Sequence, residues 1–172
     1  MIISIIIIAA VVLADQLTKQ LVVHFLDRSE PFDVISGIFR FTYVENRGAA
    51  FGMLDDKRWI FMVVSSIAIV ALLVYMSKFA PPSKMLKIGL SFIVGGGIGN
   101  MIDRVAYGYV VDFLDFCAFP TLWKWVFNVA DACVCVGAGM VMLYLVLEII
   151  KEAKAENAAK AAGNDELEDN NK

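Results

Sequence analysis

Two aspartates, Asp112 and Asp131, bracket the stretch VVDFLDFCAFPTLWKWVFNVAD, and Asn128 stands three residues before the second. A carboxylate placed where a helix enters hydrocarbon costs about 2.5 to 3.5 kcal/mol on insertion scales, so a chain that keeps several of them uses them. Two carboxylates brought within hydrogen-bonding distance do not easily both ionise and come to share one proton. Such a pair does acid and base work together: the ionised member deprotonates a water while the protonated member polarises or protonates a carbonyl. This is peptide hydrolysis without a side-chain nucleophile. It suits a chain whose single histidine, His24, lies a helix away from any partner that would complete a nucleophilic triad.

The elements that must position this pair belong to a membrane. With 172 residues, 59% of them hydrophobic and only 19% charged, the chain is too apolar for an ordinary soluble domain. One membrane domain over residues 1–150 is expected, followed by a tail at 151–172. The formal net charge of -3 misleads, because much of the acid sits after Lys151, and no basic run points to nucleic acid. Cys117, Cys133 and Cys135 lack the paired spacing and nearby histidine of a zinc site, so they read as small apolar packing residues. No metal or cofactor is expected.

Residues 2–14 first read as the apolar core of a cleavable leader, but no basic residue precedes them, no A-x-A-like site follows, and LVVHFL resumes the apolar run. A first span over about 2–26 fits better. Asp15 and Lys19 interrupt it at i, i+4, one helical face where they can pair; orienting the helix in the bundle is the plain alternative to a role in chemistry. Residues 27–58 are polar, and Phe39 to Val44 alternate like a strand, which puts Phe39, Phe41 and Tyr43 on one face that can rest on the bilayer interface. Next come Asn46, which offers donor and acceptor to a peptide bond, and Gly48, Ala49, Ala50 and Gly52, whose small side chains admit other backbone. A simple turn is the alternative there.

A second span is expected over about 59–77 and a third over about 86–104; the loop between them carries Lys78, Lys84 and Lys87 and no acid, which makes it cytoplasmic by the positive-inside rule. Gly95 and Gly99 in the third span fit close helix packing rather than a phosphate loop. Asn100 and Arg104 share a face at its far end, where an interfacial anchor is the alternative role for Arg104. The fourth span is expected over about 123–150 behind Trp123 and Trp125, with Asp131 about two turns in, roughly 10 to 12 Å along the axis. After Ile150 the chain should continue as a frayed helix and end disordered. Lys151, Lys154 and Lys160 put the C-terminus in the cytoplasm, and four spans put the N-terminus there too. On this topology segments 27–58 and 105–122 are extracytoplasmic, and Asp15, Lys19, Asn100, Arg104, Asn128 and Asp131 converge at one depth. An ion-coupled membrane transporter is the rival, although its polar groups should lie near the midplane with repeat symmetry.

D-Q-x-T-K at Asp15 to Lys19, N-x-G-A-A-F-G at Asn46 to Gly52, G-G-x-x-G-N-x-x-D-R ending at Arg104, V-V-D-F at Val110 to Phe113 and F-N-x-A-D at Phe127 to Asp131 together resemble the bacterial lipoprotein signal peptidases, or signal peptidase II. The blocks occur in order over about residues 10–140. The resemblance implies a polytopic α-helical membrane protein, four transmembrane helices with a small extracytoplasmic β-cradle between helices 1 and 2. It implies an aspartic endopeptidase of the bacterial cytoplasmic membrane that cuts diacylglyceryl-modified prolipoproteins just before the lipidated cysteine. By position, Asp112 and Asp131 would be the catalytic dyad. Asn46, Asn100, Arg104 and Asn128 would hold substrate backbone or dyad, and Asp15 and Lys19 would support the site. A lipidated prolipoprotein and membrane lipid are the implied partners of a monomer. Asp115 could rival Asp112 if that part were helical; the motif position favours Asp112 and leaves Asp115 a solvated or interfacial acid.

Overall fold

A computed structural model describes residues 1–48, 58–79, 81–119, 121 and 125–169. Ala49 to Gly52 of the small-residue motif, the charged residues 55–57 and Trp123 lie outside the described residues. The helices are α1 (Ile2–Phe25), α2 (Arg58–Lys78), α3 (Lys84–Ala106) and α4 (Val129–Asp169), and the strands are β1 (Phe32–Ile35), β2 (Phe39–Asn46), β3 (Val110–Phe116) and β4 (Val126–Phe127). Among the described residues, Ile2–Phe25, Lys84–Ala106 and Val129–Asn157 are long and apolar enough to cross a membrane, and Met62–Lys78 of α2 is a shorter apolar helix.

Helix α3 is the centre of the bundle and packs against α1, α2 and α4. Its start is fixed by Ser83, whose hydroxyl accepts the Leu86 N–H at 3.0 Å, a side-chain cap on an otherwise orphaned donor. Its glycines face all three neighbours, with Gly97 against Ile69 of α2, which lets the helices pack closely. A Cβ on Gly95 would meet Val11 of α1 at 2.8 Å, one on Gly99 would meet the Asp15 carboxylate at 2.6 Å, and one on Gly96 would run into the Ala130 carbonyl of α4. Toward the other end of the helix, Met76, Leu86, Leu90 and Val94 form a buried apolar cluster.

The four strands make one antiparallel sheet in the order β1-β2-β3-β4. Two strands precede α2 and two lie between α3 and α4, so the sheet is not built between the first two helices alone, as expected. Gly108, at φ +81, turns the chain out of α3 into β3, a conformation open to glycine without steric penalty. A bulge between Phe41 and Val44 resets the alternation of β2. Phe39 and Phe41 therefore face the same side as Leu114 and Phe116, while Tyr43 leaves that face and reaches Glu45 and Tyr109. The expected single face of Phe39, Phe41 and Tyr43 is corrected accordingly.

Two helix boundaries also differ from expectation. Residues 126–127 pair with β3, so α4 begins at Val129 rather than near Trp123, and Asp131 sits in its first turn instead of two turns inside. At the other end α4 continues past Ile150 as a helix, as expected, but runs further than a frayed end, to Asp169; its Ala, Lys and Glu content favours helix.

Candidate active site

Asp112 lies on β3, where a strand four residues deep in burial, Val110 to Phe113, carries it inward. Because side chains alternate along a strand, Asp115 points to the opposite face. There it meets Arg40 at 2.6 Å and Thr42 at 3.2 Å, so the acid expected to be solvated or interfacial is ion-paired, and it lies on a strand rather than on a helix that would set it beside Asp112. Among the described residues no cation pairs with Asp112. Its carboxylate accepts from Asn46 Nδ2 at 2.8 Å and from Asn128 Nδ2 at 2.6 Å. Burial, and next the charge of Asp131, push its carboxyl up to about 7 against the pull of these two amides.

Asn128 and Asp131 form the cap of α4. The Asp131 N–H donates to Asn128 Oδ1 at 2.8 Å, and the Asn128 N–H donates back to Asp131 Oδ2 at 3.3 Å. This is the reciprocal geometry of a capping box, which satisfies two orphaned donors at once. The other Asp131 oxygen accepts from Asn100 Nδ2 at 2.7 Å. Asn100 Oδ1 in turn accepts from Asn128 Nδ2 at 3.0 Å and from Lys19 Nζ at 3.0 Å. The two aspartates are thus joined through a pair of interlocked amides, one on α3 and one at the head of α4.

Lys19 is 2% exposed and bridges two further carboxylates, Asp15 at 2.8 Å and Asp103 at 2.9 Å. Asp15, fully buried, also accepts the Ala130 N–H at 2.9 Å, so α1 caps α4 from the side. Asp103 accepts the Val111 N–H at 3.1 Å, which fastens the strand one residue before Asp112. Gln16 completes the joint between α1 and α3 by donating to Asp103 at 2.9 Å and to the Gly99 carbonyl at 3.1 Å. Asp103 and Gln16 were passed over as site residues. Asp103 stands at i+3 from Asn100, and that spacing was the available signal.

Asp15, Lys19, Asn46, Asn100, Asn128, Asp112 and Asp131 therefore meet in one connected network. Arg104 is half-buried nearby; it donates to the Asn100 carbonyl at 3.4 Å, within the fields of Asp131, Asp112 and Asp103, and joins no ion pair among the described residues. A cavity of about 790 Å³ opens beside Asp131 and is walled by Phe39, Leu114, Phe116, Phe119 and Phe127.

Helices fit to cross a bilayer, a linked set of carboxylates and amides at one end of them, and an apolar cavity beside Asp131 describe a membrane protein with a polar site at the edge of its bundle. The family model for signal peptidase (SPase) II matches residues 7–147. Lipoprotein signal peptidases of Halothermothrix orenii and Caldanaerobacter subterraneus are similar to this chain, the first 44% identical over 140 residues, covering 81% of this chain and 92% of that one. The second is 46% identical over 144 residues, covering 84% and 95%. A solved bacterial membrane enzyme superposes with a TM-score of 0.78 at 32% identity, covering 85% of this chain and 88% of the other. The chain belongs to the signal peptidase II family. The rival reading as an ion-coupled transporter finds no support among these relatives.

Proposed function

We propose that this chain is an aspartic endopeptidase that removes signal peptides from diacylglyceryl-modified prolipoproteins, cutting just before the lipidated cysteine, with Asp112 and Asp131 as the catalytic dyad. The observation that carries the reading is that both carboxylates are held by the same interlocked amides, Asn128 and Asn100, beside an apolar cavity. A water held between the two adds its oxygen to the scissile carbonyl carbon as the ionised carboxylate takes its proton and the protonated one gives its own to the carbonyl oxygen. On collapse the amide nitrogen leaves with one proton, the other returns to the acid, and the dyad is reset.

The remaining residues have roles that follow from their contacts. Asn46, Asn100 and Asn128 fix the carboxylates, and Asn46 and Arg104 offer donors to the substrate backbone. Asp15 and Lys19 support the site by tying α1 to α3 and α4. The cavity takes apolar substrate, and a lipid-modified residue brings that apolar surface within reach. Helix α2 is the fourth span of a protein in the bacterial cytoplasmic (inner) membrane, with the lysine loop and both termini in the cytoplasm and the sheet as an extracytoplasmic cradle. The protein acts as a monomer in this reading. Purified protein in detergent should cut a diacylglyceryl-modified prolipoprotein peptide at the single bond before the modified cysteine and leave the unlipidated peptide intact. Equal cutting of both peptides, or of neither by folded protein, would sink the substrate assignment.

A further inference from the structure

The two members of the dyad stand in unlike surroundings. Asp131 is the third residue of α4, where the partial positive charge of the helix N-terminus favours an anion. Its Oδ2 accepts a backbone N–H, and its Oδ1 accepts from an Asn100 amide whose oxygen is gripped by the Lys19 ammonium. Lysine has no acceptor, so only Oδ1 of Asn100 can face it, and the amide is left with its N–H pointing at Asp131. A cation drawing on one end of an amide strengthens the donor at the other. Asp112 sits on a strand and, among the described residues, accepts from the neutral amides of Asn46 and Asn128.

We infer that the dyad has fixed roles, with Asp131 as the ionised member that takes the water proton, Asp112 as the acid that protonates the carbonyl oxygen, and Lys19 as a positioning residue that keeps Asp131 ionised through Asn100. The inference rests on the dyad assigned above and adds its direction. The elevated pKa of Asp112 agrees with a carboxyl that holds its proton near neutral pH. The charged groups that Asp131 feels include Asp15 and Lys19 from α1, Arg104 from α3 and Asp112 from β3. Of the cations, Lys19 is joined to its carboxylate through one hydrogen-bonded side chain, that of Asn100.

The test is a set of pH–rate profiles for cleavage of the lipidated peptide. An amide at position 112 still donates to the carbonyl, whereas one at 131 takes no proton from water. Asp112→Asn should therefore keep a residual rate about 10-fold above that of Asp131→Asn and should lose the alkaline limb. Lys19→Met alone would strand two buried carboxylates, so it is paired with Asp103→Asn. This double variant should show its acid limb moved up by about 1 pH unit with KM little changed. Asp103→Asn alone, slower because β3 is unfastened, should keep the wild-type acid limb. Asn100→Asp keeps a partner for Lys19 but presents oxygen to Asp131, and it should move the acid limb the same way; it decides the matter if the double variant does not fold. A reversed order of residual rates, an acid limb unmoved in the folded variants, or an equal movement in Asp103→Asn would overturn the assignment of roles while leaving the dyad standing. Wild-type rates in both aspartate variants would remove the dyad, and the roles with it.

Discussion

Two pairs of carboxylates lie at the same end of the bundle and are held in opposite ways. Asp15 and Asp103 have an ammonium between them, Lys19, at 2.8 and 2.9 Å. Asp112 and Asp131 have amides between them, Asn128 and Asn100. A cation placed between two anions lets both stay charged and commits them to geometry. Amides leave the charge problem unsolved, which favours a proton retained on the second pair, as the proposed acid–base chemistry requires. The first pair acts as the joint that holds α1, α3, α4 and β3 together, and the second is the pair proposed to react.

The joint should break most severely. Lys19→Met leaves two buried carboxylates without their cation and should destabilise the protein by about 3–5 kcal/mol, seen as a large fall in Tm in detergent. A Tm unchanged from wild type would make the joint dispensable. Next comes the packing that lets the joint close. Gly96→Ala drives a Cβ into the Ala130 carbonyl, and Gly99→Leu drives a larger side chain onto Asp15. Losses of about 1–3 kcal/mol for the first and more for the second are expected, read from the same melts.

The reactive pair should behave in the opposite sense. The folded-state pKa of Asp112, about 7, lies above its unfolded value, so the folded protein holds this proton more tightly than the unfolded chain. That contribution to stability is complete below the unfolded pKa and is lost as pH rises through about 7. Asp112→Asn, which does not titrate, should match wild type in Tm near pH 4 and exceed it increasingly up to about pH 7. A constant difference across that window would deny the group its elevated pKa. The smallest effect belongs to the other face of β3: Asp115→Asn removes a partly exposed pair with Arg40 and should lower stability by about 0.2–1 kcal/mol without altering turnover.

How much of this was legible in the sequence follows from the range of each interaction. The long apolar runs that become α1 and α3 were plain, and so was the Asp15–Lys19 pair, because i, i+4 neighbours can be read within one helix. Strand β3 was not. Its partner β2 lies more than 60 residues away, Asn46 against Val110, and both Val110 and Val111 are buried, which hides the alternation of a one-sided strand. The start of α4 was missed although Asn128 and Asp131 stand at the capping-box spacing, since apolar residues continue through it on both sides. Asp103 was overlooked because its partners, Lys19 and the Val111 N–H, come from other elements.

The most direct test of the contrast between the two pairs is the cleavage rate of a lipidated prolipoprotein peptide by wild type, Asp112→Asn, Asp131→Asn and Asp115→Asn, each shown to be folded in detergent. Wild type and Asp115→Asn should cut at similar rates, while Asp112→Asn and Asp131→Asn fall by at least about 100-fold. A folded Asp112→Asn or Asp131→Asn protein that cuts as fast as wild type would contradict the claim that the amide-held pair performs the reaction.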